Sequence, residues 1–163
     1  MKKGLLIILM ICFSITSCKK IIDSAASLSK DDISAKDLVE ISVNDDYSIS
    51  IPDYMKEMTS LNDDASFQYA NIYKETYTIV IDEDKQEFID AFKEIGIYND
   101  SLSVIENYSD YQVKSFQESL SSDEAKELDF NLKNLTAKQF ELNGIIDGIN
   151  GNYLIGFVES DAK

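Results

Sequence analysis

The sequence predicts an α+β domain, an antiparallel sheet flanked by helices, carried behind a short secretory leader. Two observations point to the fold. Period-two apolar alternation occurs early, between Leu38 and Ile81, and again late, between Leu128 and Val158. The stretch between them carries two runs of apolar residues at helical spacing, which segregates strands from helices. A third observation gives the leader: Met1-Lys-Lys-Gly precedes the unbroken apolar run Leu5 to Phe13, and small residues then lead to Cys18.

Nine apolar residues are too short to cross a hydrocarbon core, which takes about 20 helical residues, so residues 1–17 read as a signal peptide. The ending Ile15-Thr16-Ser17-Cys18 resembles the lipobox of bacterial lipoproteins. There, lipid is attached to the cysteine thiol and the chain is then cut before it. The resemblance implies that Cys18 is the lipid attachment site and the tie to a membrane; more than one acyl chain makes such an anchor firm. Cys12 leaves with the leader, so no internal disulfide can form. Lys19 stands where an Asp would resemble the inner-membrane retention signal of enteric bacteria, which leans the expected location in the cell envelope towards the outer membrane.

Cutting 17 of the 163 residues leaves one ordinary domain plus a tether, enough chain to bury a core without disulfides or a structural metal. The cut also removes Lys2 and Lys3, so 13 lysines face 30 acids and the net charge moves from −15 to −17. Such a body repels nucleic acid, and without Arg there is no bidentate grip on phosphate.

Residues 18–37 are polar, with Ser24, Ser27, Ser29, Asp31 and Asp32, and read as a tether. If flexible, about 18 such residues span roughly 25 Å. The domain then occupies 38–163. Leu38 to Val43 and Tyr47 to Ile51 alternate on either side of Asn44-Asp45-Asp46, predicting two strands and a turn, with Pro52 ending the second. Asp53 to Ala65 is expected to be a loop or a short helix. Phe67, Tyr69, Tyr73, Tyr77, Ile79 and Ile81 share odd parity, which predicts one core face along a long strand or a hairpin turning near Lys74.

Phe88, Phe92 and Ile95 fall at helical spacing behind Asp82-Glu83-Asp84, predicting a helix from Lys85 to Ile95 capped by Gly96. Leu102, Ile105, Ser109, Val113, Phe116 and Leu120 predict a second helix from Ser101, capped by Asn99 or Asp100. Three strands follow, around Leu128 to Leu132, Phe140 to Leu142 and Tyr153 to Val158. Among the Asn143-Gly144, Asp147-Gly148 and Asn150-Gly151 turn signals, one of the last two should close a hairpin.

The stretch from Ser48-Ile-Ser-Ile-Pro-Asp-Tyr-Met through Glu75-Thr-Tyr-Thr-Ile-Val-Ile-Asp82, continued by the Glu87-Phe88 helix, resembles small Bacteroidota lipoproteins with a PsbP-like domain. The resemblance covers about Leu38 to Glu159 and implies an α/β/α sandwich. In that family the strand matching Tyr153 to Glu159 is followed by another aromatic-rich strand. Here the sequence stops at Lys163, so the sheet is expected to lack its last strand. The Tyr153 strand, apolar on both faces, would then be an edge open to a dimer partner or an added strand. No binding residue carries over, because the fold hosts unrelated roles.

There is no histidine, which removes imidazole bases and Ser-His or Cys-His pairs; no zinc ligand set and no phosphate loop is present. No catalytic residue, metal site or cofactor is therefore assigned. Asp82-Glu83-Asp84 lacks the layout of a calcium loop and reads as acids complementing a helix N-terminus, and Asp45-Asp46 and Asp63-Asp64 read as turns. Most of Tyr69, Tyr73, Tyr77, Tyr98, Tyr108 and Tyr111 are expected in the core or at its rim. Sequons at Asn99, Asn107 and Asn134 read as accidental behind a bacterial leader. The expected function is a non-catalytic, membrane-anchored envelope module that binds a protein or assists assembly. The alternatives are a small-ligand or calcium-binding module and a carboxylate-based hydrolase.

Overall fold

The computed structural model describes residues 5–13, 34–44, 46–132, 134–146 and 148–160. Alternation and turn chemistry set the strands: β1 (Leu5–Phe13), β2 (Leu38–Val43), β3 (Tyr47–Pro52), β4 (Lys56–Glu57), β5 (Ala65–Asn71) and β6 (Thr76–Asp84). Helices α1 (Lys85–Glu94) and α2 (Val104–Leu120) come next, followed by β7 (Ala125–Leu128), β8 (Thr136–Ile146) and β9 (Ile149–Ser160). Seven strands form one antiparallel sheet in the order β4-β5-β6-β1-β9-β8-β7, and β2 and β3 form a separate hairpin. The fold is thus mixed α+β, with antiparallel sheets and two helices.

Neighbouring residues of a strand point to opposite faces, and β6 shows what lies on each. Val80 belongs to a core cluster with Val43, Ile51, Met55 and Phe67. Ile81 packs on another, built from Phe88, Ile105, Tyr108, Phe140, Ile155 and Phe157. Both helices therefore cover one face, while the β2–β3 hairpin covers the β5–β6 half of the other. Among the described residues the layers are helix, sheet and hairpin.

The helix starts follow their caps. The Asp84 carboxylate accepts from the N–H groups of Gln86 and Glu87 at 2.8 and 3.1 Å, and Gly96 with φ +75° follows the end of α1. Asp82 and Glu83 are strand residues, so one acid of the expected three caps the helix. α2 starts later than predicted because Ser103 and Glu106 form a reciprocal capping box. Neither Asn99 nor Asp100 is its cap. Asn107 ties that approach loop down instead: its side chain accepts from the Asn99 N–H at 2.8 Å and donates to the Asn99 and Ser103 carbonyls, each at 3.0 Å.

The segment after Asp53 is the loop of the two alternatives, interrupted by the two-residue edge strand β4. Other expectations change: Phe130 and Leu132 fall outside β7. The β5–β6 hairpin turns over Ile72 to Glu75, and its register pairs Phe67 with Val80 and Tyr69 with Thr78. Odd residues of β5 therefore share a face with even residues of β6, and the single odd-parity face is lost. Finally, with residues 5–13 in the sheet, β9 is not an edge. It pairs with β8 on one side and with β1 on the other.

Gly148 (φ +80°) turns the β8–β9 hairpin beside Asp147, as one of the glycine signals predicted. Asn143-Gly144 and Asn150-Gly151 lie inside the strands, with Gly144 opposite Gly151. A Cβ on Gly144 would sit 2.4 Å from the Leu120 Cβ and 2.6 Å from the Leu120 carbonyl oxygen. The missing side chain lets the last turn of α2 lie directly on the sheet.

Candidate functional site

The apolar run Leu5 to Phe13 occupies the middle of the sheet. β1 pairs antiparallel over nine residues with β6 and over nine with β9: Ile8 lies between Ile81 and Phe157, Leu9 between Val80 and Gly156, and Met10 between Ile79 and Ile155. Because both neighbours run antiparallel to β1, they run parallel to each other, two strand spacings or roughly 9.6 Å apart. The lane between them is walled by buried residues on both faces. Ile155 and Phe157, fully buried, stand on the helix side, and Thr78 and Val80, almost as buried, stand on the other. A strand lying there needs apolar residues at both parities, and Leu5 to Phe13 has nothing else.

The end of the lane beside Leu5 and Leu6 is charged. Asp84 and Glu83 border it on β6, Glu159 borders it on β9, and an ion pair between Lys85 and Glu159 joins the two sides. Nearby, the Tyr108 hydroxyl makes no hydrogen bond, although Glu83 and Gln112 are close, and burial followed by the Glu83 charge pushes its pKa up. Asp82, partnered in register with Ile7, has a carboxyl raised above its ordinary range, first by desolvation. One of its oxygens is buried without a partner.

Surface clefts lie elsewhere among the described residues. One of about 400 Å³ opens between the α2–β7 connection, at Asp123 and Glu124, and Asn143, Asn150 and Asn152 of the β8–β9 hairpin. Another of about 500 Å³ runs along α1 and α2 past Phe92, Asp110, Tyr111 and Lys114. Among the described residues no three His, Cys, Asp or Glu side chains are placed to hold a metal ion. No described helix is long and apolar enough to cross a membrane.

Cys18 lies outside the described residues, as do the tether residues up to 33. The end of the expected tether is ordered: Ala35–Asp37 form a 3-10 turn, and the Asp37 carbonyl accepts from the Asp53 N–H at 2.9 Å. The tyrosines divide: Tyr108 is core, Tyr69 and Tyr98 pack at cluster margins, Tyr111 is half-exposed, and Tyr73 at the β5–β6 turn is fully exposed.

No protein-family model matches the chain, and no curated protein or solved structure matches it either.

The lane itself was not anticipated from the sequence. Its signal lies in the both-faced apolar character of Tyr153 to Val158, which calls for a neighbour on each side; those neighbours are β8 and Leu5 to Phe13.

Proposed function

We propose that the chain is the precursor of a lipid-anchored envelope protein. In this reading it is cut before Cys18, which carries the lipid, and its acidic domain binds a protein partner without catalysing a reaction. The observation that carries the reading is the order Lys2-Lys3, Leu5 to Phe13, Ile15-Thr16-Ser17-Cys18: charge, a short apolar run, then small residues and a thiol. Resemblance to PsbP-like lipoproteins supports the same compartment. The net charge of −17 after cleavage turns the domain away from anionic headgroups and nucleic acid.

Cys18→Ser expressed in a lipoprotein-processing bacterium is expected to lose incorporation of a labelled fatty acid and to leave an unprocessed or soluble product. Equal label and an unchanged membrane fraction in the variant would refute the reading. The place of β1 favours a second reading, in which Leu5 to Phe13 is retained as a structural strand. The intact mass of the purified protein decides between them, since retention adds the leader and omits the lipid.

A further inference from the structure

Cleavage before Cys18 would remove β1, and with it the middle strand of the sheet. From this, and resting on the lipoprotein reading, we infer that the mature domain is a strand acceptor: the lane between β6 and β9 takes an extended segment of about nine apolar residues from a partner protein.

The lane defines what it accepts. Without β1, the alternate N–H and C=O groups that face it along nine residues of β6 and nine of β9 lose their partners in the interior of a sheet, and each such group buried away from water is costly. The incoming segment must run antiparallel to both strands. It must also be apolar at odd and even positions alike, because Phe157 and Ile155 wall one face and Val80 and Thr78 the other. Asp84, Glu83 and Glu159 border the end where the segment starts, so basic residues just before the apolar run suit it, as Lys2 and Lys3 precede Leu5.

Two other ways to fill the lane fit less well. Residues 18–33 of the same chain carry Lys19, Lys20, Asp23, Ser24, Ser27, Ser29 and Lys30, and offer no run apolar at both parities. Direct closure of β6 onto β9 would form a parallel pair and move the two halves together by one strand spacing, roughly 4.8 Å. The helices above resist it. α1 packs over β6 and α2 over β8 and β9, and they already meet through Phe88 against Tyr108 and Phe92 against Tyr111, each pair with ring centroids 4.8 Å apart.

The test uses the processed protein purified from cells, its N-terminus read by mass spectrometry, and a synthetic peptide of residues 1–13 as the probe. A control peptide carries Leu9→Lys and Met10→Lys, one charge towards each face. The expected result is that the alternate amides of Thr76–Asp84 and Asn152–Glu159 that face the lane exchange rapidly in the protein alone and slow by about tenfold or more with the probe, but not with the control. If the processed protein does not stay folded alone, it is refolded with each peptide, and a soluble yield several-fold higher with the probe than with the control carries the same meaning. Amides of both strands already as protected as those of β8 without peptide would overturn the inference, as would equal effects of the two peptides. A mass that includes residues 2–13 would instead overturn the lipoprotein reading beneath it.

Discussion

Gly144→Ala sets two physical effects of opposite sign against each other. Replacing glycine where the backbone is ordinary for an L residue restricts the unfolded chain and stabilises by about 0.4–1 kcal/mol. The contact with α2 opposes this. The new Cβ would lie 2.4 Å from the Leu120 Cβ and 2.6 Å from its carbonyl oxygen, so reaching an ordinary contact of about 3.4 Å requires a retreat of roughly 1 Å. Both atoms are fixed by the helix backbone, so no rotamer change relieves the clash. The last turn of α2 must lift away from Leu142, which is fully buried. Overpacking of this kind costs about 1–3 kcal/mol, and because the clash is with backbone the upper half of that range applies. The net loss is about 1–2 kcal/mol, or a fall in Tm of about 3–8 °C for a chain of this size. Thermal unfolding followed by circular dichroism, with urea titration for the free energy, measures it. Leu120→Ala should not rescue the variant, since the offending Cβ and carbonyl remain. A Tm equal to or above that of the parent would refute the close approach of α2 to the sheet.

Two more outcomes test the interior. Asp82→Asn should raise Tm at neutral pH and leave it unchanged well below the ordinary carboxyl range: a raised folded-state pKa means the charged form penalises the native state, and the penalty grows as pH climbs through the unfolded and then the folded value. A melting series against pH for parent and variant checks both sign and window. Asn107→Ala should cost about 2–3 kcal/mol, since it orphans the Asn99 N–H and frees the loop before α2, and the loss of slow exchange at the Asn99 amide would localise the effect.

Much of the local structure was legible because its causes are local. Leu38 to Pro52 declares a hairpin through alternation, a turn and a proline. Phe88 and Phe92 with Gly96 fix α1, and Asp147-Gly148 fixes the last hairpin. What escaped depends on registers and partners that no window contains. A four-residue turn between Asn71 and Thr76 decides that Phe67 shares a face with Val80 rather than with Ile79. Ser103 outcompetes Asn99 as a cap because Glu106 completes the box and Asn107 holds Asn99 elsewhere. The strand assignment of Leu5 to Phe13 was the hardest to read. An apolar run of that length serves a secretory leader and a doubly buried strand equally well, and its place in the sheet depends on residues far along the chain, near Ile81 and Phe157.

The pairing of Leu5 with Ser160 also imposes a schedule. A strand at residues 5–13 cannot enter the sheet until β9 has been made, since β9 supplies one wall of its place. At synthesis rates of about 5–20 residues per second, the roughly 155 residues between those positions take on the order of 10–30 s to appear. Throughout that interval the apolar segment has no seat in its own domain. Under the lipoprotein reading proposed above, a chain captured in that interval is exported and processed, whereas one whose β9 has already formed buries its own address within a sheet.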